Sequence, residues 1–121
     1  MVKRARSYAD LTALLRSAQA GAGEVAFGGR AALAEWAGIH RSQITRLAGG
    51  QDIGGEPGWR IAGLMAVVLA LLEVYEADAV PGWLEGINPH LNHRRPLDVL
   101  AEGDVAEVMA AVQAARVGSF A

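Results

Sequence analysis

The run AEWAGIHRSQI at positions 34–44 has the residue types and spacing of a hairpin that reads DNA. Small Ala34 is followed four positions later by Gly38, and β-branched Ile44 comes six after that. A helix-turn-helix needs this order. Ala34 lets the second helix approach the first, Gly38 makes the tight turn, and Ile39, Ile44 and Leu47 pack the two together. Arg41, Ser42, Gln43 and Thr45 then face outward at the start of the second helix, with Arg46 close by. Arginine and glutamine can make paired hydrogen bonds to base edges, while serine and threonine can hold phosphates. Lys3, Arg4 and Arg6 form a basic arm that would add phosphate or minor-groove contacts. A hairpin with a purely structural role satisfies the same spacing, and a solvated terminus would equally explain the arm.

A second constellation occupies positions 83–100, WLEGINPHLNHRRPLDVL. Asn88-Pro89 starts a turn, because an asparagine side chain can bond the backbone two residues on. Leu91, Leu97 and Leu100 can cover the end of a long helix. Arg94 and Arg95 are placed for a carboxylate, in this chain or in a partner. Pro96 suits the first position of a short helix, where its missing N–H costs nothing. Asp98 falls in that helix's first turn, where negative charge suits the dipole. Trp83, Leu91, Pro96 and Leu97 can equally be intramolecular core.

Catalysis has little to stand on. His90 and His93 are spaced i, i+3 but have no third ligand beside them. The Gly49-Gly50 and Gly54-Gly55 pairs are not followed by the Gly-Lys-Ser/Thr of a phosphate loop. No serine sits in a Gly-x-Ser-x-Gly elbow. The absence of cysteine excludes disulfides, thiolate zinc sites and thiol chemistry.

The elements that must position these residues read as helices throughout, because no stretch alternates with period two. Ser7 and Asp10 match a capping box at the start of a first helix over 7–20, with Leu11, Leu14, Leu15 and Ala18 on one face. Gly21, Gly23, Gly28 and Gly29 predict a loop after it. Helices over 30–37 and 41–48 form the hairpin, and Gly49 and Gly50 end the second. One long, nearly all-apolar helix over 57–79 follows, stopped by Pro81 and Gly82. Such a helix is central and covered by neighbours. Its run at 61–72 is too short to span a bilayer. Residues 83–95 read as irregular with one helical turn, 97–101 as a short helix, and 105–117 as a last helix. Asp104 and Glu107 match a second capping box, and Gly118 stops the last helix.

With 121 residues, 52% of them hydrophobic, the chain can bury a core without staples. The expected architecture is all-α, with a helix-turn-helix region at 1–58 and, at 59–121, the central helix and a small helical C-terminal unit. Residues 1–60 carry eight basic and five acidic side chains, and 61–121 carry three basic and eight acidic. A basic front and an acidic back suggest two different partners. No secretory signal is visible, so the expected location is cytoplasmic.

The second constellation resembles the toxin-binding domain of the Xre/MbcA/ParS family of antitoxins, bacterial proteins that pair with RES-domain toxins. The resemblance lies in Trp83-Leu84, Asn88-Pro89-His90-Leu91, the run Arg94 to Leu100, a final helix and Gly118. Many family members have glycines where this chain has Asn92-His93, and the tail after Gly118 is short here. The resemblance implies an all-α protein with a degenerate helix-turn-helix before the toxin-binding domain. It implies a homodimer that represses its own operon and neutralises a toxin that consumes NAD or modifies targets with it. Inhibition would be by occlusion of the toxin's NAD cleft, and the antitoxin itself would bind no cofactor. Trp83, Asn88, Pro89, Leu91, Arg94, Arg95 and Pro96 would contact the toxin. So would the tail Gly118, Ser119, Phe120 and Ala121, with Phe120 filling an apolar pocket and the terminal carboxylate pairing with an arginine. Phe120 could instead fold back on Val112 and Val117. A transcription regulator whose C-terminal unit only dimerises is the alternative reading.

Overall fold

Ser7 starts the first helix. Its hydroxyl accepts the backbone N–H of Asp10 at 3.2 Å, satisfying one of the free donors of a helix N-terminus. The computed structural model describes residues 7–119, with side chains through Gly118. Along these residues run seven α-helices and no strand: α1 Tyr8–Phe27, α2 Arg30–Ala37, α3 Arg41–Ala48, α4 Gly55–Leu72, α5 Val80–Glu85, α6 Pro96–Ala101 and α7 Val105–Ser119. Short 3-10 turns lie at Ala77–Ala79 and Pro89–Leu91. The fold is all-α.

Helix α1 continues through Gly21 and Gly23, where the glycines predicted a loop. Gly23 is there for packing. A Cβ at this position would lie 2.3 Å from Leu33 Cδ2, so its absence lets α2 seat a leucine against α1. Gly28 ends the helix instead.

The hairpin forms as its spacing requires. Gly38 takes the left-handed conformation at φ 77° and donates its N–H to the last carbonyls of α2. Ala34, Ile44 and Leu47 are buried between the helices, and Ile39 is half-buried against the same core.

Helix α4 supplies the centre. Ile61, Leu64, Val67, Val68 and Leu71 are all buried, with α1 and α7 packed alongside. Among the described residues α4 is the one helix long and apolar enough to cross a membrane by length and composition, but this face lies inside the fold. The helix stops at Leu72, short of the expected 79, in a tightened turn where Val74 and Tyr75 both donate to the Leu71 carbonyl. No glycine or proline marks that stop. The chain turns there and buries Val80 and Leu84 in the core. Pro81 and Gly82 therefore do not terminate α4. They lie in the first turn of α5, where a proline is tolerated.

Residues on both sides of position 58 share one core, from Ala20 to Val112. Gly63 allows the last helix in: a Cβ there would sit 2.6 Å from Val105 Cγ2. The stripe Leu11, Leu14, Leu15 is not part of this core. These side chains are 57%, 61% and 48% exposed.

Two glycines of α1 should respond oppositely to alanine. Gly23→Ala overpacks against Leu33 and should cost about 1–3 kcal/mol. Gly21→Ala meets nothing within 4 Å and should add roughly 0.5–1 kcal/mol through helix propensity. Urea unfolding of the two variants checks the contrast.

Candidate functional site

The first candidate surface is the outer face of α3. Arg41, Ser42, Thr45 and Arg46 are exposed, while Ile44 and Leu47 on the opposite side are buried. The Arg41 and Arg46 side chains make no hydrogen bond or ion pair among the described residues, although their backbone carbonyls accept from Thr45 and Gln51. Gln43 sits at the rim, half-buried, and is used structurally. Its Oε1 accepts the backbone N–H of His40 at 3.2 Å. His40 Nδ1 in turn accepts the N–H of Ser42 at 3.2 Å, completing a capping box with histidine as the cap. The exposed face is thus Arg41, Ser42, Thr45 and Arg46, with Gln43 committed to holding the helix start.

An open cleft of about 590 Å³ lies beside this face, lined by Gly29, Arg30, Arg41 and Thr45 among others. The start of α2 has no side-chain cap and opens into it. Arg30 is held there by Glu24 at 2.6 Å and lies 3.5 Å from the Thr45 hydroxyl. The cleft brings basic side chains and free backbone donors together, an arrangement suited to a phosphate. The basic arm Lys3, Arg4 and Arg6 lies outside the described residues.

The second candidate surface is the turn between α5 and α6. Asn88 Oδ1 accepts the N–H of His90 at 2.9 Å, as the Asn-Pro pair predicted. The backbone then closes on itself: Asn88 N–H donates to the Arg94 carbonyl at 3.1 Å, and His93 N–H to the Asn88 carbonyl at 3.0 Å. Closure passes through Asn92 and His93, both left-handed at φ 55° and 62°. The residue after the 3-10 turn is therefore not helical, and His90 and His93 are both exposed without sharing a helical face.

The arginines of this turn diverge. Arg94 points inward. It donates to the Leu91 carbonyl at 2.9 Å, to Glu107 at 2.5 Å and to Glu102 at 3.4 Å. It pins the turn to α7. Arg95 points outward and makes two 3.0 Å hydrogen bonds to the Asp98 carboxylate. These bonds hold the Asp98 carboxyl below its ordinary range, against a weaker opposing effect of burial.

The remaining residues of the constellation divide between core and surface. Leu91 and Pro96 are buried and support the turn from within. Trp83 is half-buried against the core, and Asn88 is half-buried within its turn. Pro89 and Arg95 are exposed. Ile87, which the sequence reading passed over, is 68% exposed beside them. No sequence signal set it apart, since Trp83, Leu84 and Leu91 stand at helical spacing from it as they would from a core residue. Gly118 is helical, since α7 runs through it to Ser119. Phe120, Ala121 and the Ser119 side chain lie outside the described residues, as does the proposed packing of Phe120 on Val112 and Val117.

No protein-family model matches the chain, and no curated protein or solved structure is significantly similar to it.

The Asp98 carboxyl supplies a pH prediction. A carboxyl lowered in the folded state adds stability above its unfolded value, and loses it as pH falls through the folded value. Arg95→Gln should move the Asp98 titration upward toward the ordinary carboxylate range. A carboxyl-carbon NMR titration of both proteins checks it.

Proposed function

We propose that this chain is the antitoxin of a type II toxin–antitoxin pair. It neutralises a RES-domain, NAD-consuming toxin by occluding its active site, and represses its own operon as a homodimer bound to operator DNA. The observation that carries the reading is the left-handed pair Asn92-His93. Many members of the antitoxin family that the chain resembles have glycines here, and glycine is the residue that favours this backbone conformation. Asn92 and His93 take a backbone conformation that suits glycine, although this chain has glycine at neither position. Asparagine tolerates the left-handed region better than other non-glycine residues.

On this reading Ile87, Pro89 and Arg95 form the exposed part of the toxin contact, with Trp83 and Asn88 behind them. Leu91, Arg94 and Pro96 hold the turn in shape. Gly118 and Ser119 at the end of α7, with Phe120 and Ala121 after them, would add to the toxin contact at its NAD cleft. The antitoxin needs no cofactor and works in the cytoplasm, away from membranes.

The DNA half of the reading rests on Arg41 and Arg46, two arginines on one exposed helix face whose side chains have no partner among the described residues. The cleft with Arg30 and the start of α2 suits a backbone phosphate beside it. These features favour DNA binding with or without a toxin, so a regulator that lacks a toxin partner stays as the second reading.

Protection in cells separates the two. A gene for a RES-domain toxin should adjoin this one, and cells expressing it should survive when the wild-type chain is co-expressed. Ile87→Glu combined with Arg95→Glu should lose protection and keep operator binding, and Phe120→Glu should weaken protection. Failure of the wild-type chain to protect would overturn the antitoxin reading and leave the regulator reading. For the DNA face, Arg41→Ala should weaken operator binding by about 1–3 kcal/mol, with wild-type affinity falling steeply as salt rises. An electrophoretic shift series with promoter DNA checks both.

A further inference from the structure

We propose that the outward stripe of α1 is a self-association surface, on which a second copy of this chain lays its own α1 antiparallel. The proposal rests on the homodimer in the preceding reading and adds which face makes it. Tyr8, Leu11, Leu14 and Leu15 are 82%, 57%, 61% and 48% exposed. A fully exposed side chain of this size offers roughly 150–200 Å². At these exposures the four leave on the order of 450 Å² of apolar surface, within the roughly 300–600 Å² of the largest patch on a monomer, which is often functional. A groove between α1 and the start of α4 continues the patch from Leu15 to Trp59, which is 41% exposed. Doubled across a two-fold axis, the apolar part of the patch alone reaches about 900 Å², close to the roughly 1,000 Å² that a specific interface must clear.

The spacing selects a second copy as the occupant. Tyr8, Leu11, Leu15 and Ala18 fall at successive a and d positions of a heptad, and none of them is charged. When such a seam pairs antiparallel with itself, a positions meet d positions. One register satisfies every layer. Tyr8 lies against Ala18 of the second copy, large against small, and Leu11 lies against Leu15. Leu14 then falls beside the two-fold axis, next to its own equivalent. Because α3 packs directly on α1, this pairing would also fix the two α3 helices relative to each other.

Sedimentation of the full chain at micromolar concentration tests the face without toxin or DNA. The wild-type chain should be a dimer. Leu14→Glu should be a monomer with unchanged helical circular dichroism, and Leu69→Glu, on the exposed side of α4, should stay dimeric. A monomeric wild-type chain would overturn both the proposal and the homodimer reading, and leave the stripe to another partner. A dimeric Leu14→Glu would overturn the α1 face while the homodimer stands. The register has its own test, since the chain has no cysteine. Leu14→Cys should crosslink to its equivalent on oxidation and Ser17→Cys should not; the opposite pattern would overturn the antiparallel register.

Discussion

Arg60 joins the ends of two helices, one from each half of this chain, on top of the apolar core that the halves share. Arg60 sits near the start of α4 and donates to the Ala101 carbonyl at 3.1 Å and the Ala37 carbonyl at 3.5 Å. These are the last residues of α6 and α2, and the end of a helix is where carbonyls lack intrahelical partners and where a cation suits the dipole. Glu56, one turn earlier, and the Trp59 ring steady the guanidinium. Close by, the Trp36 indole N–H of α2 donates to the Leu97 carbonyl of α6 at 3.1 Å. The hairpin is thereby fixed to the C-terminal unit by directed hydrogen bonds as well as by shared apolar core. Removing Arg60 would take the side-chain donor from the Ala37 and Ala101 carbonyls at once.

This constraint decides how the two candidate surfaces relate. The exposed face of α3 and the turn at 87–95 belong to one packed body. Neither is a flexible appendage of the other. Within the turn, support and display are separated by residue. Leu91, Pro96 and Arg94 face inward and set the shape, whereas Ile87, Pro89 and Arg95 are displayed on it. The same division appears in α3, where Gln43 and His40 build the helix start and Arg41 and Arg46 remain available.

Much of this was legible in the sequence where local chemistry decides the outcome. Gly38 and Gly49 punctuate α2 and α3, Pro96 opens α6, and Asn88 nucleates its turn, so these boundaries were read as observed. The errors fall where tertiary packing decides. Gly23 reads as punctuation but serves as a seat for Leu33. The end of α4 carries no breaker and is set by burial of Val80 and Leu84. The stripe of α1 has the periodicity of a core face and lies outside the core, because periodicity shows that a helix face is apolar and not what covers it. Of the site, residue types marked the right segments. They could not separate Arg94 from Arg95, since adjacent arginines look alike until the fold places Glu107 beside one of them.

The central claim is that this chain silences a RES-domain enzyme by covering its active site. The most direct measurement is NAD turnover by a purified RES-domain toxin whose gene adjoins this one, should such a gene be found there, titrated with the purified chain. The account predicts that turnover falls to background at a fixed stoichiometric ratio, and that excess NAD slows the onset of inhibition by competing for the covered cleft. Undiminished turnover at saturating concentrations of the chain would contradict it.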